Sequence, residues 1–332
     1  MNPAEGALRD VIGIGNAIVD VLTRADDSLL DDLGLAKGAM TLIDADRAGA
    51  IYGSMGPSVE RSGGSVGNTM AGIADLGGTG SYIGKLHDDD FGAVFRHDLS
   101  SLGIEMDGQL ATEGPPTARC LIVVTPDGQR SMATHLGACV ELGPDDIDPA
   151  VIKRHQITYL EGYLWDLPQA KEAMVRAARY AQTGGRRVAL TLSDPFCVER
   201  HRASFVELIR DHVDILFANE QEIISLYEAD DFDGALQQVR QNAGIAALTR
   251  SEKGSVIVAG DEVHVVNAKP VNEIIDTTGA GDLYAAGFLF GLTHGHDLVT
   301  SGRIGSIAAA EIIGHIGARP DVDLKTLVQE AI

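Results

Sequence analysis

The sequence predicts an α/β protein: a central, mostly parallel sheet covered by helices on both faces, with a small separate β-sheet attached. Three observations carry this expectation. Short apolar runs at 157–160, 187–192, 213–217 and 245–249 alternate with helical stretches at 169–181 and 220–227, and such βα alternation is what a parallel sheet buried on both faces requires. A matching run, Val11-Ile12-Gly13-Ile14, lies near the start of the chain. Residues 117–135 behave differently: Cys120-Leu121-Ile122-Val123-Val124 and Arg130-Ser131-Met132-Ala133-Thr134 flank a Pro126-Asp127-Gly128 turn, the pattern of a β-hairpin.

With 332 residues and 45% hydrophobic content, the chain can bury a substantial core. We read residues 1–332 as a single domain with a discontinuous β lid from about 16–45 and 115–136. The formal charge of −22, from 48 acids against 26 bases, repels polyanions, so nucleic acid and anionic membrane are not expected as partners. A nucleoside triphosphate stays compatible where a local anion site and a divalent cation outweigh the diffuse field. Cys120, Cys139 and Cys197 are too few and too widely spaced for a disulfide framework or a zinc pattern, which fits free thiols in a reducing compartment. Residues 1–10 carry no apolar core of signal-peptide length, and no apolar run approaches the roughly 18 residues of a membrane span. A soluble, cytoplasmic protein is expected.

Along the chain, residues 11–20 begin as a buried strand. Gly13-x-Gly15 hints at a dinucleotide fingerprint, but Ile18 stands where the third glycine would open a helix. The alternation of Ala17, Val19 and Val21 against Ile18, Asp20 and Leu22 reads as the strand continuing. A short acidic helix is expected at 26–35, ending at Gly34, then a strand at 40–43 and a helix from an Asp44 N-cap towards Gly53. Arg61-Ser62-Gly63-Gly64-Ser65-Val66-Gly67-Asn68-Thr69 is a glycine-rich loop entering a helix that continues through Met70, Ile73 and Leu76. Its glycines admit close backbone approach, Ser65 is placed to cap, and Asn68 falls one turn in. A strand at 81–85 and a helix from 88–92 to near Gly103 follow.

Near the C-terminus, Asp276-Thr277-Thr278-Gly279-Ala280-Gly281-Asp282 precedes the apolar run 283–292, and a second helix is expected at 299–313. Gly279, Ala280 and Gly281 let the backbone turn tightly and present N–H groups at a helix start, where such groups lack intrahelical partners and attract anions. Asp282 faces the same space. An acid opposes tight anion binding, but it suits a carboxylate that takes the proton from a hydroxyl attacking that anion, which implies phosphoryl transfer to an alcohol. The plain structural alternative is a glycine turn with a capping acid.

The seven residues 276–282 are similar to the C-terminal signature of the ribokinase-like (phosphofructokinase B type) carbohydrate kinases, and Gly63-Gly64-Ser65-x-x-Asn68 resembles their N-terminal one. The resemblance runs from about 13 to 317. It implies a three-layer ribokinase-like α/β/α domain with a β lid, Asp282 as catalytic base, and Gly279, Ala280 and Gly281 as the anion hole. It also implies ATP and Mg²⁺, and leaves a monovalent cation open. Gly64, Ser65 and Asn68 would contact the sugar.

Within that family the chain most resembles the adenosine kinase branch. Asn16 and Asp20 match an Asn and Asp that reach sugar hydroxyls, and Arg130 matches an Arg beside the transferred phosphate. Phe196, with Tyr163 and Met132, would face the purine. Asn219 and Glu222 match a pair implied in phosphate and Mg²⁺ binding, mostly through water. Thr249 and Gly254 fit an ATP-lining turn in which Ser251 replaces a glycine, and Ser306 lies near the adenine edge. His87 replaces a turn glycine. The implied reaction is ATP-dependent phosphorylation of the adenosine 5′-hydroxyl, giving AMP and ADP, by a monomer or homodimer. A free-sugar kinase and a nucleoside-binding protein without turnover are the competing readings. Retention of Asp282, Asn219, Glu222 and the glycine turn speaks against the second.

Overall fold

A computed structural model describes residues 8–332; the expectation of no leader segment falls largely on residues 1–7, outside that range. The main sheet has nine strands, in the order Glu262–Val266, Ser255–Ala259, Ile245–Thr249, Ile215–Asn219, Arg187–Thr191, His155–Glu161, Arg9–Ile14, Gly80–Ile83 and Glu105–Asp107. From Ile245–Thr249 to Glu105–Asp107 all neighbours are parallel; the first two strands pair antiparallel. Apolar residues run without a break at 11–14 because helices cover both faces. Val11 packs into one core layer with Met70, Ile73, Leu283 and Phe288, and Ile12 into the opposite one with Ala173, Met174 and Phe205.

The second sheet runs Met40–Leu42, Arg130–His135, Ala118–Val124, Ile18–Arg24 and Val59–Ser62. Period-2 alternation sorts its faces. Val19, Val21 and Thr23 are buried, the two valines in a core shared with Leu30, Ala48 and Ile51. Asp20, Leu22 and Arg24 point the other way, into a cavity between this lid and residues 316–319.

Local signals hold for the short helices. Gly34 ends Asp27–Leu33 at φ 60°, and the Asp44 side chain caps Ala45–Ser54 through the N–H of Arg47. Two expectations change. The strand expected to continue past residue 14 is instead two strands in two sheets, broken at 15–17, where the Gly15 N–H makes the last bond to the main sheet, at Ile83 O. The apolar run at 11–14 is followed within three residues by the alternation that begins at Ala17, with no proline between them, so periodicity alone cannot show the break. Residues 59–62, expected in part as loop, pair with Ile18–Arg24 as an edge strand that puts Arg61 opposite Asp20. Helices Pro195–His212 and Phe232–Asn242, capped by Asp194 and Asp231, fill crossovers that parallel strands require. Among the described residues no helix is long and apolar enough to cross a membrane.

Candidate active site

The turn at 276–282 is built by backbone geometry. Gly279 N-caps the helix Ala280–Thr293 at φ 81°, a left-handed conformation that glycine adopts without cost, and a Cβ there would lie 2.7 Å from that of Ala318. The Ala280 N–H donates to Thr277 O, while those of Gly279 and Gly281 have no acceptor among the described residues. At Gly281 a Cβ would meet nothing within 4 Å, so this side of the turn is open. Asp276 organises the turn: its carboxylate accepts from the N–H groups of Thr278 (2.9 Å) and Gly317 (3.0 Å) and pairs with Arg130 at 2.5 Å.

Asp282 sits in the first turn of that helix. Its carboxylate accepts from Ser65 Oγ (2.7 Å) and Asn68 Nδ2 (2.9 Å), both on the helix Ser65–Asp75. The expected capping role of Ser65 is therefore corrected. Gly64 is the N-cap, at φ 79° and without a side chain, and the Ser65 hydroxyl is spent on Asp282. Burial raises the Asp282 carboxyl to about 6, against the Ser65 and Asn68 hydrogen bonds and the Arg319 charge. Asp20 also rises to about 6 through burial, opposed by Arg130 and Arg319 and helped by Asp282.

Two cavities of about 220 Å³ each flank the Asn68–Asp282 hydrogen bond, Asn68 lining one and Asp282 the other. One, under the lid, is lined by Asp20, Leu22, Asn68, Ile122, Arg130 and Arg319 among others. The second is lined by Ser65, Asn219, Glu222, Thr249, Gly279, Gly281 and Asp282. The Asn68–Asp282 hydrogen bond spans the boundary. A hydroxyl held under the lid and an anion held at the glycine turn would meet at one base.

The remaining expected residues divide. Asn219 and Glu222 form a reciprocal capping box on the helix Glu220–Tyr227, with Glu222 raised to about 7 by burial and by the charges of Asp194 and Asp282. Gly254 is at φ 81°, and a Cβ there would strike Val266 O at 2.1 Å, so a backbone approach requires it; it does not line the second cavity. Ser251 is held at φ 51°, a conformation that favours the glycine it replaces. Ser306 Oγ accepts from the Lys269 N–H (2.8 Å) and donates to Asn267 O (3.3 Å), tying a connection to its helix outside both cavities. Phe196 is 70% and Tyr163 44% exposed, and Met132 packs on Cys120, Ile122 and Val124. None of these three lines either cavity.

Two residues escaped the sequence reading. Arg319, at the edge of the lid cavity, donates to Gly67 O (3.2 Å), Ser62 O and Ser62 Oγ, with Asp98 at 3.7 Å. It clamps the lid strand to the helix carrying Ser65. Glu161, 1% exposed, accepts from Asn16 Nδ2 (2.7 Å) and from the N–H groups of Val66 and Asn16. Arg319 carries no local signal that separates it from a surface arginine. Glu161 stood only at a strand end beside aromatic residues.

A helix-borne acid sharing one cavity with a glycine anion turn agrees with a family model described as pfkB family carbohydrate kinase, which matches residues 49–325. The chain belongs to the pfkB family. This pfkB kinase aligns with the crystal structure of adenosine kinase from Sinorhizobium meliloti at 53% identity and a TM-score of 0.89, covering 98% of this chain and 100% of that one. A probable sugar kinase protein from Rhizobium etli CFN 42 gives the same TM-score at 49% identity, covering 98% and 99%. In sequence, the adenosine kinase of Saccharomyces cerevisiae is 25% identical over 329 residues, 92% of this chain and 95% of that protein. The ribokinase-like fold of the main sheet and lid is shared with these structures.

Proposed function

We propose that this kinase transfers the γ-phosphoryl group of ATP to the 5′-hydroxyl of adenosine, giving AMP and ADP. The observation that carries the reading is the Asp282 carboxylate, which lines the second cavity and is held by Ser65 and by Asn68, a residue of the lid cavity. The similarity to proteins named adenosine kinase supports the nucleoside as acceptor. Asp20 and Asn68 hold the ribose hydroxyls, with Asn16, Gly64 and Ser65 assisting, so that the 5′-hydroxyl faces Asp282. Positioning of this kind supplies most of the acceleration in phosphoryl transfer. The N–H groups of the 279–281 turn take up charge on the transferred group, and Arg130, anchored by Asp276, closes the same space. Tyr163, just past the strand His155–Glu161, Phe196, in the first turn of the helix Pro195–His212, and Met132 on the lid contact the purine once the lid closes. Thr249, with Gly254 and Ser306 behind it, borders the ATP.

No group of three or more His, Cys, Asp or Glu among the described residues could cage a metal. Mg²⁺ needs none, since it keeps water and phosphate ligands and takes one or two carboxylates; Glu222, on the wall of the second cavity, fits. Asn219 and Glu222 would hold the ion through water, and when bound it neutralises phosphate charge. The protein works in the cytoplasm on small molecules, as a monomer or homodimer. A free-sugar kinase is the second reading, favoured by the likeness to the Rhizobium etli protein. ADP release measured with adenosine, other nucleosides, ribose and fructose decides between them. Adenosine is expected to have the highest kcat/KM; turnover of free sugars alone would overturn the nucleoside assignment.

A further inference from the structure

Glu161 ends the strand His155–Glu161 and is 1% exposed. A carboxylate so enclosed requires donors, and the three it has connect both halves of the acceptor site. Oε1 accepts from Asn16 Nδ2 at 2.7 Å. Oε2 accepts from the N–H of Asn16 at 3.3 Å and of Val66 at 3.1 Å. Val66 lies in the first turn of the helix whose Ser65 and Asn68 grip Asp282. Its N-cap, Gly64, has no side chain, so Glu161 supplies from another element the negative charge that a helix start favours. The chain makes room for it: a Cβ on Gly15 would lie 2.4 Å from Glu161 Oε2.

The geometry points to Glu161 as the residue that sets the hydrogen-bond polarity of Asn16, and so the way Asn16 meets an acceptor hydroxyl. A carboxylate only accepts. It therefore holds the Asn16 amide NH₂ on itself and leaves Asn16 Oδ1, which has no donor among the described residues, as the atom offered to the ligand. This rests on the placement of the acceptor at Asn16, Asp20 and Asn68 given above. Glu161 does not touch the substrate; it is a positioning residue. Burial raises its carboxyl to about 7, with Asp282 adding to the shift and the three hydrogen bonds opposing it, so the accept-only polarity belongs to the ionised form and the kinetic comparison is made at about pH 8. The phenols of Tyr82, Tyr159 and Tyr163 and the Cys139 thiol are the other titratable groups near it; all are neutral near pH 7 at their ordinary values, and loss of solvent shifts them further up.

The test is Glu161→Gln. If the glutamine oxygen keeps the two backbone N–H groups, its NH₂ meets the Asn16 NH₂, donor against donor. Asn16 must then turn its NH₂ towards the ligand. The acceptor KM is expected to rise about ten-fold or more, the range for one mispaired buried polar group, with kcat and the ATP KM within about two-fold of wild type. The double variant Asn16→Asp with Glu161→Gln restores a donor–acceptor match and again offers an oxygen to the ligand, so its acceptor KM is expected to return towards wild type. An unchanged acceptor KM in the single variant, an equal rise in the ATP KM, or a double variant no better than the single one would overturn the assignment. If the single variant does not fold, the double variant decides on the same criterion. Wild-type turnover of adenosine tests the functional reading separately, and if another acceptor in the panel is the substrate the comparison is made with it. The Asn16 side-chain amide proton resonances give a readout free of substrate; they are expected to move in Glu161→Gln, and unmoved signals would contradict the proposal.

Discussion

Replacing Asp282 by Asn separates the chemistry of the site from its architecture. The isosteric amide can be accommodated: its oxygen accepts from Asn68 Nδ2 and its NH₂ donates to Ser65 Oγ, so both contacts of the carboxylate have a substitute. What is lost is a base. General-base catalysis contributes on the order of 10²–10⁴ in rate, so kcat is expected to fall by about 10² or more, with a smaller change in adenosine KM. In the wild type kcat/KM should decline as pH drops through about 6, where Asp282 and Asp20 both take up protons; the variant should show a shallower decline that keeps only the part due to Asp20. Stability should move the opposite way. The folded-state carboxyl, raised from 3.8 to about 6, binds its proton more tightly than in the unfolded chain. Asp282 therefore lowers stability as pH rises from about 4 to 6, and its full cost is present above that. At 1.36 kcal/mol per pH unit the shift corresponds to about 3 kcal/mol, and partial solvent access reduces this to about 1–2 kcal/mol. Asp282→Asn should accordingly be more stable than wild type at pH 8 by urea denaturation, with the gain disappearing below about pH 4. Near-normal turnover in the variant would refute the base assignment, and lower stability at pH 8 would refute the desolvation argument.

Other substitutions probe the surroundings. Asp20→Ala should raise the adenosine KM far more than it lowers kcat; unchanged saturation would remove Asp20 as a ribose ligand. Gly15→Ala places a methyl 2.4 Å from Glu161 Oε2, and overpacking of this kind costs about 1–3 kcal/mol, to be read from the urea midpoint. Arg319→Met strips donors from Ser62 O and Gly67 O and a counter-charge from Asp98. Losing these part-buried hydrogen bonds costs about 1–3 kcal/mol, and a midpoint within error of wild type would show that the clamp is not structural.

The parallel sheet was legible because its strands are buried on both faces and so read as unbroken apolar runs. The anion turn was legible because residues 276–282 are contiguous. Ser65 and Asn68 could be picked out by type and spacing, but their bonds to Asp282 span 217 and 214 residues, beyond any local pattern. Long separations in sequence likewise hid Glu161 and Arg319, whose roles exist only through tertiary contacts. Ser65 looked like a cap because serine before an apolar helix usually is one; a stronger acceptor from a distant strand had taken that position. The Gly13-x-Gly15 pair, ambiguous in sequence, is explained by packing. A Cβ at Gly13 would lie 2.5 Å from Val66 Cγ1, and one at Gly15 would collide with Glu161. Aromatic residues after strands were readable as residues, but not their direction, and Phe196 stands 70% exposed.

The most direct test of the account is the product formed from ATP and adenosine, with 5′-deoxyadenosine as the matched control. Asp282, on the wall of the second cavity and bonded to Asn68 of the lid cavity, predicts 5′-AMP and ADP in equal amounts from adenosine. It predicts no nucleotide from 5′-deoxyadenosine, which should still compete with adenosine for the site. Phosphate at the 2′ or 3′ position, or phosphorylation of ribose or fructose in place of adenosine, would contradict it.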